Sequence, residues 1–341
     1  MKKQTVEKII KKVVPGRTTL PVLKKVKLSG NIIHVSDLEH HIQVKSNTIT
    51  NQPTHTIESK LFFQYMDKYN NIETSLENNK VTYDLGGNKT SFKSNAVEFP
   101  ELPDLDDMEP AITITKQDIK TLYKNRVFLS QDELKPALMY YYFDAKNQNM
   151  VVTEGHVLKI SKPENEIKKD CFLSKKTIEI LNILKPEHVT VKVNRKYVKI
   201  KVDNVTIIQR NNSCKYPEYM TVIPENYDQC NRFEIDKNDL LNAIDLIKSS
   251  SPKATKLVKI TVNGCETMEL NATDPENMLE SSTNVSCSNA GDNFTVGYNW
   301  RYLQSIAKTS NNDNLEFWHG SPAQAALIND NTLLMPIRLT D

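Results

Sequence analysis

A strand that closes on a hydroxyl-acid pair occurs three times at nearly even spacing. The copies are Ile33-His34-Val35-Ser36-Asp37, Met150-Val151-Val152-Thr153-Glu154 and Glu269-Leu270-Asn271-Ala272-Thr273-Asp274. Their acids stand 117 and 120 residues apart. Such a period is too long for a solenoid unit and has the size of a small domain. The spacing therefore predicts three copies of one domain.

Other landmarks recur in phase. Each copy is expected to open with a strand and a short helix. The helix patterns are Thr5–Val14, Lys116–Tyr123 and Lys237–Ile244, the last two following the alternating runs Ile112–Thr115 and Phe233–Ile235. There the apolar period changes from that of a strand to that of a helix. Thr115 and Asp236 are predicted N-caps, because their side-chain oxygens can accept unpaired N–H groups of a first turn. Second helices are expected at Ser59–Tyr69, Ser174–Leu184 and Asn299–Lys308. Strands follow each, with turns at Gly86-Gly87, Asp203-Asn204 and Asn329-Asp330-Asn331. Boundaries in the Pro-rich acidic stretch 99–110 and near 224–231 give domains 1–109, 110–228 and 229–341.

Composition excludes several classes. No run of 18 apolar residues is present, and the Met-Lys-Lys start lacks an apolar signal core. The five cysteines (171, 214, 230, 265, 287) are odd in number and widely spaced. That predicts reduced thiols in a cytoplasm rather than a disulfide framework or a zinc site. Gly is scarce, 9 of 341, and no phosphate-binding glycine loop occurs.

The net charge is only +2, but it is unevenly placed. The predicted helices 6–14, 58–69, 116–126, 174–185, 237–248 and 299–308 carry +2, 0, +3, +2, 0 and +2, which leaves −7 on everything else. The cations are Lys8, Lys11, Lys12, Lys116, Lys120, Lys124, Arg126, Lys175, Lys176, Arg301 and Lys308, together with Lys185. Helices facing one side would give a basic surface that holds a phosphate backbone without reading bases. The plain alternative for any one helix is a solvated face.

Three clusters invite a chemical reading. His34, Asp37, Glu39, His40 and His41 are residue types that ligate metals, although a strand end and turn accounts for them as well. Thr153-Glu154-Gly155-His156 offers a hydroxyl near an imidazole, without an orienting third group. Tyr140-Tyr141-Tyr142-Phe143 could stack bases or form a half-buried strand. The run Leu333–Leu339 is a core edge strand or a deformable apolar wall of the kind that accepts peptides.

The ordered set of short motifs Arg17-Thr18-Thr19-Leu20-Pro21-Val22-Leu23, Ser36-Asp37-Leu38-Glu39, Phe99-Pro100-Glu101-Leu102, Lys135-Pro136-Ala137-Leu138, Val152-Thr153-Glu154-Gly155-His156, Tyr216-Pro217-Glu218-Tyr219, Val222-Ile223-Pro224, Val296-Gly297-Tyr298-Asn299 and Met335-Pro336-Ile337-Arg338-Leu339 spans the chain. In that order it resembles the bacterial-type sliding clamps, the beta subunits of DNA polymerase III. The resemblance implies an α+β fold of three repeated clamp-type domains, with antiparallel sheets outside and two helices each inside. It further implies a head-to-tail homodimer closing as a ring on duplex DNA, without catalysis or cofactors. Polymerase and clamp loader would dock linear peptides on Leu138, Thr153, Gly155, His156, Leu158, Pro224, Asn299, Tyr302, Ala323, Ala325, Met335, Pro336, Ile337, Arg338 and Leu339. Arg17 matches a DNA-contacting arginine. Lys89 and Phe92 would meet Leu246, Ile247 and Glu276 across the dimer contact. Val157 stands where the family has a basic residue, and two residues follow Leu339. These departures bear on the specificity of the pocket, while the low glycine content and the shortened length imply a divergent member, encoded by a phage or a low-GC bacterium. The alternatives from other classes are a metal-dependent hydrolase using the His34–His41 cluster and a DNA-binding repeat protein that never closes.

Overall fold

The three hydroxyl-acid pairs turn out to be turn devices. The computed structural model describes residues 3–46, 52–68, 73–85, 87–94, 98–224, 231–264 and 266–339. Ser36 Oγ accepts the Leu38 N–H at 3.1 Å, and Asp37 Oδ1 accepts the His40 N–H at 2.7 Å. Thr153 Oγ1 accepts the Gly155 N–H at 3.0 Å, while Glu154 Oε1 accepts those of His156 and Val157 at 2.6 and 2.9 Å. Asp274 Oδ1 accepts those of Glu276 and Asn277 at 3.2 and 3.4 Å. A carboxylate reaching two or three residues ahead satisfies backbone donors that a tight reversal removes from the ladder. Leu38 (φ 76°) and Gly155 (φ 110°) follow their acids in left-handed conformations.

The first copy contains α1 (Lys3–Val13), β1 (Lys25–Gly30), β2 (Ile32–Ser36), β3 (His40–Lys45), β4 (Gln52–Glu58), α2 (Ser59–Lys68), β5 (Glu73–Glu77), β6 (Lys80–Asp84) and β7 (Lys89–Lys93). The second contains β8 (Glu109–Thr115), α3 (Lys116–Asn125), β9 (Tyr140–Asp144), β10 (Asn149–Thr153), β11 (Val157–Ser161), β12 (Cys171–Ser174), α4 (Lys175–Leu184), β13 (His188–Val193), β14 (Tyr197–Val202) and β15 (Val205–Arg210). The third contains β16 (Asn231–Asp236), α5 (Lys237–Ile247), β17 (Leu257–Asn263), β18 (Thr267–Asp274), β19 (Leu279–Ser286), β20 (Ser288–Ala290), β21 (Phe294–Asn299), α6 (Trp300–Thr309), β22 (Asn314–His319), β23 (Ala326–Ile328) and β24 (Thr332–Leu334). All six predicted helices are present. The expected opening strand is found in copies two and three, whereas among the described residues copy one starts directly on α1. Tyr69, Gly86, Cys230, Cys265, the stretch 225–230 and the two residues after Leu339 lie outside the described residues.

Local chemistry sets the helix starts. Thr115 Oγ1 accepts the Asp118 N–H at 3.2 Å while Asp118 Oδ2 accepts the Thr115 N–H at 2.8 Å, a reciprocal cap. Asp236 Oδ1 accepts from Asn238 and Asp239 at 2.7 and 3.1 Å. Ser174 and Asn299 cap α4 and α6 in the same way. The strands alternate as a half-buried sheet requires: Val189, Val191 and Val193 of β13 are buried and the residues between them exposed.

Two compact units result. The first comprises Met1–Tyr123, Tyr140–Met150 and Lys162–Cys214; the second comprises Lys124–Met139, Val151–Ser161 and Lys215–Asp341. In the first, one antiparallel sheet runs β4-β1-β2-β3-β15-β14-β13-β8, and β5-β6-β7 form a separate small sheet. The pairing of β3 with β15 joins copies one and two, from His40 opposite Gln209 to Val44 opposite Val205. Helix α1 packs on α4, with Lys12 Nζ 2.9 Å from Glu179 Oε2. In the second unit β19-β18-β17-β21 repeat the order β3-β2-β1-β4, and β24-β23-β22-β16 repeat β15-β14-β13-β8. Here β11 pairs with β24, from Val157 opposite Leu334 to Lys159 opposite Thr332, and α5 packs on α6.

A buried polar network seals the first junction. Gln209, 1% exposed, accepts from the Ser174 N–H at 3.0 Å and Thr177 Oγ1 at 2.6 Å and donates to Phe172 O at 3.0 Å. His40 Nε2 lies 2.7 Å from Ser174 Oγ, and Asp37 pairs with Lys176 and with His40 Nδ1 at 3.2 Å. Burial alone would raise the Asp37 pKa. The His40 hydrogen bond and the charges of His40 and Lys176 outweigh it and hold the carboxyl well below its ordinary value.

Acid sensitivity follows from buried histidines. Burial, with the nearby His41 and Lys27 charges, lowers His34 to about 3, and burial lowers His319 to about 4. Each is neutral when folded, while the unfolded chain takes up a proton below about pH 6.5. Stability should fall as pH drops from about 6.5 towards 4, by up to about 1.4 kcal/mol per pH unit for each group. Denaturant midpoints across this range, with His34→Gln reducing the slope, check this. Asp37 acts in the same direction in stronger acid: its contribution is full above about pH 4 and lost as pH falls through its lower folded-state value. Asp37→Asn should cost about 1–3 kcal/mol at neutral pH.

Candidate functional site

The apolar C-terminal run divides into two parts. Leu333 and Leu334 are buried in β24. Beyond them Met335 donates its N–H to His156 O at 2.9 Å, and the Ile337 N–H reaches Gly297 O at 2.8 Å. The segment thus lies along β21, and the close approach depends on a missing side chain. A Cβ on Gly297 would stand 2.8 Å from Ile337 O, Leu257 Cδ1 and Leu339 Cδ2.

Beside it is a cleft of about 490 Å³, lined by Thr295, Val296 and Gly297, by Pro322 and Ala323, and by Pro336, Ile337, Arg338 and Leu339. The volume suits a few apolar side chains. Arg338 is exposed at its edge.

The turn after β10 makes a separate set of contacts. Glu154 Oε2 accepts from the Tyr302 hydroxyl at 2.9 Å and lies 3.2 Å from His156 Nδ1. The His156 and Tyr302 rings stack, with centroids 5.7 Å apart and planes 19° from parallel. Partial burial, then the Glu154 charge and hydrogen bond, push the Tyr302 hydroxyl up to about 12, so it remains a donor. Thr153 Oγ1 donates to Val157 O at 2.6 Å, so a hydroxyl-imidazole pair with His156 is not formed.

The predicted pocket residues separate accordingly. Ala323, Pro336, Ile337, Arg338 and Leu339 line the cleft. Thr153, Gly155, His156, Tyr302 and Met335 belong to the turn and its contacts. Leu138 and Leu158 are buried, Leu158 within the β11–β24 ladder opposite Leu333. Asn299 caps α6, and Pro224 and Ala325 are half-buried outside the cleft lining. Thr295, Val296, Pro322 and Gly297 line the cleft and were missed as site residues. The signal for the last was a glycine inside a strand pattern of a glycine-poor chain.

No family model matches the sequence. The beta sliding clamp of Staphylococcus epidermidis is 23% identical over 332 residues, covering 89% of this chain and 87% of that one. The Staphylococcus aureus beta sliding clamp is 22% identical over 331 residues, with the same coverage. The C. crescentus beta sliding clamp superposes with a TM-score of 0.86 over 98% of both chains at 21% identity. The DNA polymerase III subunit beta of Pseudomonas aeruginosa does so with 0.86 over 99% of both at 19%. Over most of its length the chain is thus similar to beta sliding clamps, at low identity, and its fold is the α+β sliding-clamp fold.

The predicted DNA-facing cations differ in what holds them. Lys8, Arg17, Lys120, Lys175, Arg301 and Lys308 are exposed and form no salt bridge among the described residues. Lys11 pairs with Glu7, Lys12 with Glu179, Lys116 with Glu187 and Lys176 with Asp37. Lys124 donates to Asn311 Oδ1 at 2.6 Å, and Arg126 is half-buried. Of the predicted dimer residues, Lys89 is exposed on the edge strand β7, where the Phe92 ring stacks on Tyr83. Leu246 is 67% exposed and Glu276 is exposed in the β18–β19 turn. Ile247 is a correction: at 1% exposure it belongs to its own core, since the helix period turns it inward beside the outward Leu246.

The histidine cluster divides as well. His34 Nε2 lies 3.3 Å from His41 Nδ1, while His40 turns to Asp37 and Ser174. Among the described residues no group of three or more His, Cys, Asp or Glu could hold a metal. The metal-hydrolase alternative therefore has no ligand shell. Tyr140–Phe143 is strand β9, with Tyr141 and Phe143 buried.

Gly297→Val should displace the Pro336–Leu339 segment and cost about 1–3 kcal/mol, the range for overpacking. Thermal unfolding and loss of cleft binding by a peptide would check both effects. Tyr302→Phe removes one hydrogen bond to Glu154 and should cost about 1 kcal/mol with the fold intact, which urea titration can read.

Proposed function

We propose that this chain is a processivity clamp with clamp domains 1–109, 110–228 and 229–341. Two copies join head to tail around duplex DNA, and the cleft beside Gly297 tethers a polymerase and a clamp loader by linear peptides. It acts in the cytoplasm and catalyses nothing.

The observation that carries this reading is the repeated junction. Strand β3 of copy one pairs with β15, the last strand of copy two, and β11 of copy two pairs with β24, the last strand of copy three. Two equivalents remain at sheet edges: β19, the counterpart of β3 and β11 in copy three, and β7, the last strand of copy one. An open edge offers unpaired N–H and C=O groups to another strand. Pairing β19 of one chain with β7 of a second would repeat the junction twice more and close the assembly. Leu246, Lys89 and Phe92 would lie near that contact. The exposed cations Lys8, Arg17, Lys120, Lys175, Arg301 and Lys308, with the paired lysines beside them, support sequence-independent attraction to phosphate. No helix of the described residues is long and apolar enough to cross a membrane.

Light scattering should give twice the 39.0 kDa chain mass, and a strict monomer at micromolar concentration would overturn ring closure. The protein should be retained on nicked circular DNA and lost when that DNA is linearised. Equal loss from both forms would favour an open DNA-binding repeat. Removing residues 335–341 should abolish capture of a polymerase tail peptide.

A further inference from the structure

The hairpin β13–β14 carries a charge that no helix accounts for. Residues 188–202 hold Lys192, Arg195, Lys196, Lys199 and Lys201 and no carboxylate. The register shows which side they take. Val198 stands opposite Gln209, so the two share a face, and Gln209 reaches Thr177 of α4 at 2.6 Å. Side chains alternate along a strand, so Lys199 and Lys201 face away from α4. Lys192 is the cross-strand partner of Lys199 and lies on that same outer face. Lys192 and Lys201 are exposed and Lys199 is half-buried. Lys201 stands opposite Thr206, and Thr206 opposite Gln43. Two residues beyond Gln43, Lys45 is exposed on the same side, its N–H 2.8 Å from Asn204 O. None of these four lysines forms a salt bridge among the described residues. The carboxylates near them are engaged or lie at the margins. Glu39 pairs with Arg210 and Glu187 with Lys116. Asp203 is in the β14–β15 turn, and Asn194 Nδ2 bonds Asp106 O at 3.0 Å, which brings Asp106 and Asp107 to the Arg195 end.

Like charges directly opposite each other weaken a sheet, so the Lys192–Lys199 pair does nothing for the fold. Its ammonium groups are available to an outside polyanion. The same face offers hydroxyls at Thr190 and Thr206 and the half-buried ring of Tyr197, two residues from Lys199. It offers no apolar anchor: among the described residues no exposed large apolar side chain falls between 186 and 210. A protein partner would need such anchors, whereas a phosphate chain needs cations and hydroxyls. We propose that this outer sheet face binds single-stranded DNA without regard to sequence. Phosphates pair with Lys45, Lys192, Lys199 and Lys201, and a base stacks on Tyr197. A single strand fits better than a duplex, because a flat sheet face enters no groove and a duplex hides its base faces from Tyr197. The surface is separate from the helix cations assigned to the encircled duplex, and it requires no ring.

The test measures binding of a labelled thymidine dodecamer to the full-length protein by fluorescence anisotropy. Lys192→Gln, Lys199→Gln and Lys201→Gln together should weaken it about tenfold or more at about 50 mM salt. They should also reduce the slope of log K against log salt by about 2, for three lost contacts at about 0.7 each on a single strand. The triple Lys→Arg variant should keep both affinity and slope, and thermal unfolding should show both triples folded. Tyr197→Leu should lower affinity about fivefold with the salt slope unchanged, as loss of stacking does. Lys8→Gln, Lys120→Gln and Arg301→Gln, on the helices, should leave most of the dodecamer binding in place. Unchanged dodecamer binding by the glutamine triple at the hairpin would overturn the proposal. Equal affinity for a duplex of the same length would overturn it too, and so would displacement of the dodecamer by polyglutamate of matched charge, which would assign the face to an acidic protein. Retention on nicked circular DNA is read separately, so failure here leaves ring closure standing.

Discussion

An edge strand needs a partner, and two edges are resolved in this chain by the same joint. Strand β3 meets β15 and β11 meets β24, and each ladder is extended by one further bond. Arg210 donates its N–H to Glu39 O at 2.8 Å, and Met335 donates to His156 O at 2.9 Å. These bonds occupy the same place: the residue after the last paired position reaches the turn residue before β3 or β11. Backbone pairing is insensitive to side-chain identity, so the joint can survive at about 20% sequence identity. Around it, the hydroxyl-acid pairs fix the turns that deliver β3 and β11.

The same frame is filled differently at the two joints, and this difference makes the site. Gln209 stands opposite His40 at the first, and Leu334 opposite Val157 at the second. Two residues before the helix cap comes Phe172 at the first and Gly297 at the second. Phe172 is 8% exposed and packs on Tyr142 at 5.1 Å. Its bulk occupies the place that Gly297 leaves to Ile337 and Leu339. Where the first joint is sealed by Gln209, His40 and the Asp37–Lys176 pair, the second admits a chain segment and borders a cleft. A buried network with every partner satisfied tolerates little change. An apolar groove beside a glycine accepts varied side chains.

Periodicity made the helices and the repeat legible. Apolar spacing predicts a face, and all six helices lie where it changes. What it could not show was which way a polar residue turns. Asp37, Glu154 and Asp274 carried no mark of turn caps, because the partners that make them so are backbone N–H groups, which carry no sequence signal. Ile247 and Leu158 look like surface residues by analogy of position, but burial is decided by neighbours from other segments. The missing opening strand of copy one and the cut of the compact units across copy two share this origin. Long-range pairing, here β3 with β15, binds one copy to the next more closely than chain order suggests. Gly297 was visible as a strand glycine, although its purpose depends on residues some forty positions away.

Charge adds a second level to the same design. Four of the predicted DNA-facing lysines face carboxylates of this chain, at Glu7, Glu179, Glu187 and Asp37. Three of these pairs are open to solvent and worth little as stability. Their effect is to lower the local field and hold those side chains in place. The cations Lys8, Arg17, Lys120, Lys175, Arg301 and Lys308, which form no salt bridge among the described residues, then act as separate charges rather than as a dense patch. For the proposed clamp such dilution is useful. Each phosphate contact is weak and readily exchanged, so attraction persists while no register on the duplex is favoured. A tighter, bidentate arginine surface would hold one position against sliding. Lysine, a mobile point charge, makes up most of this set.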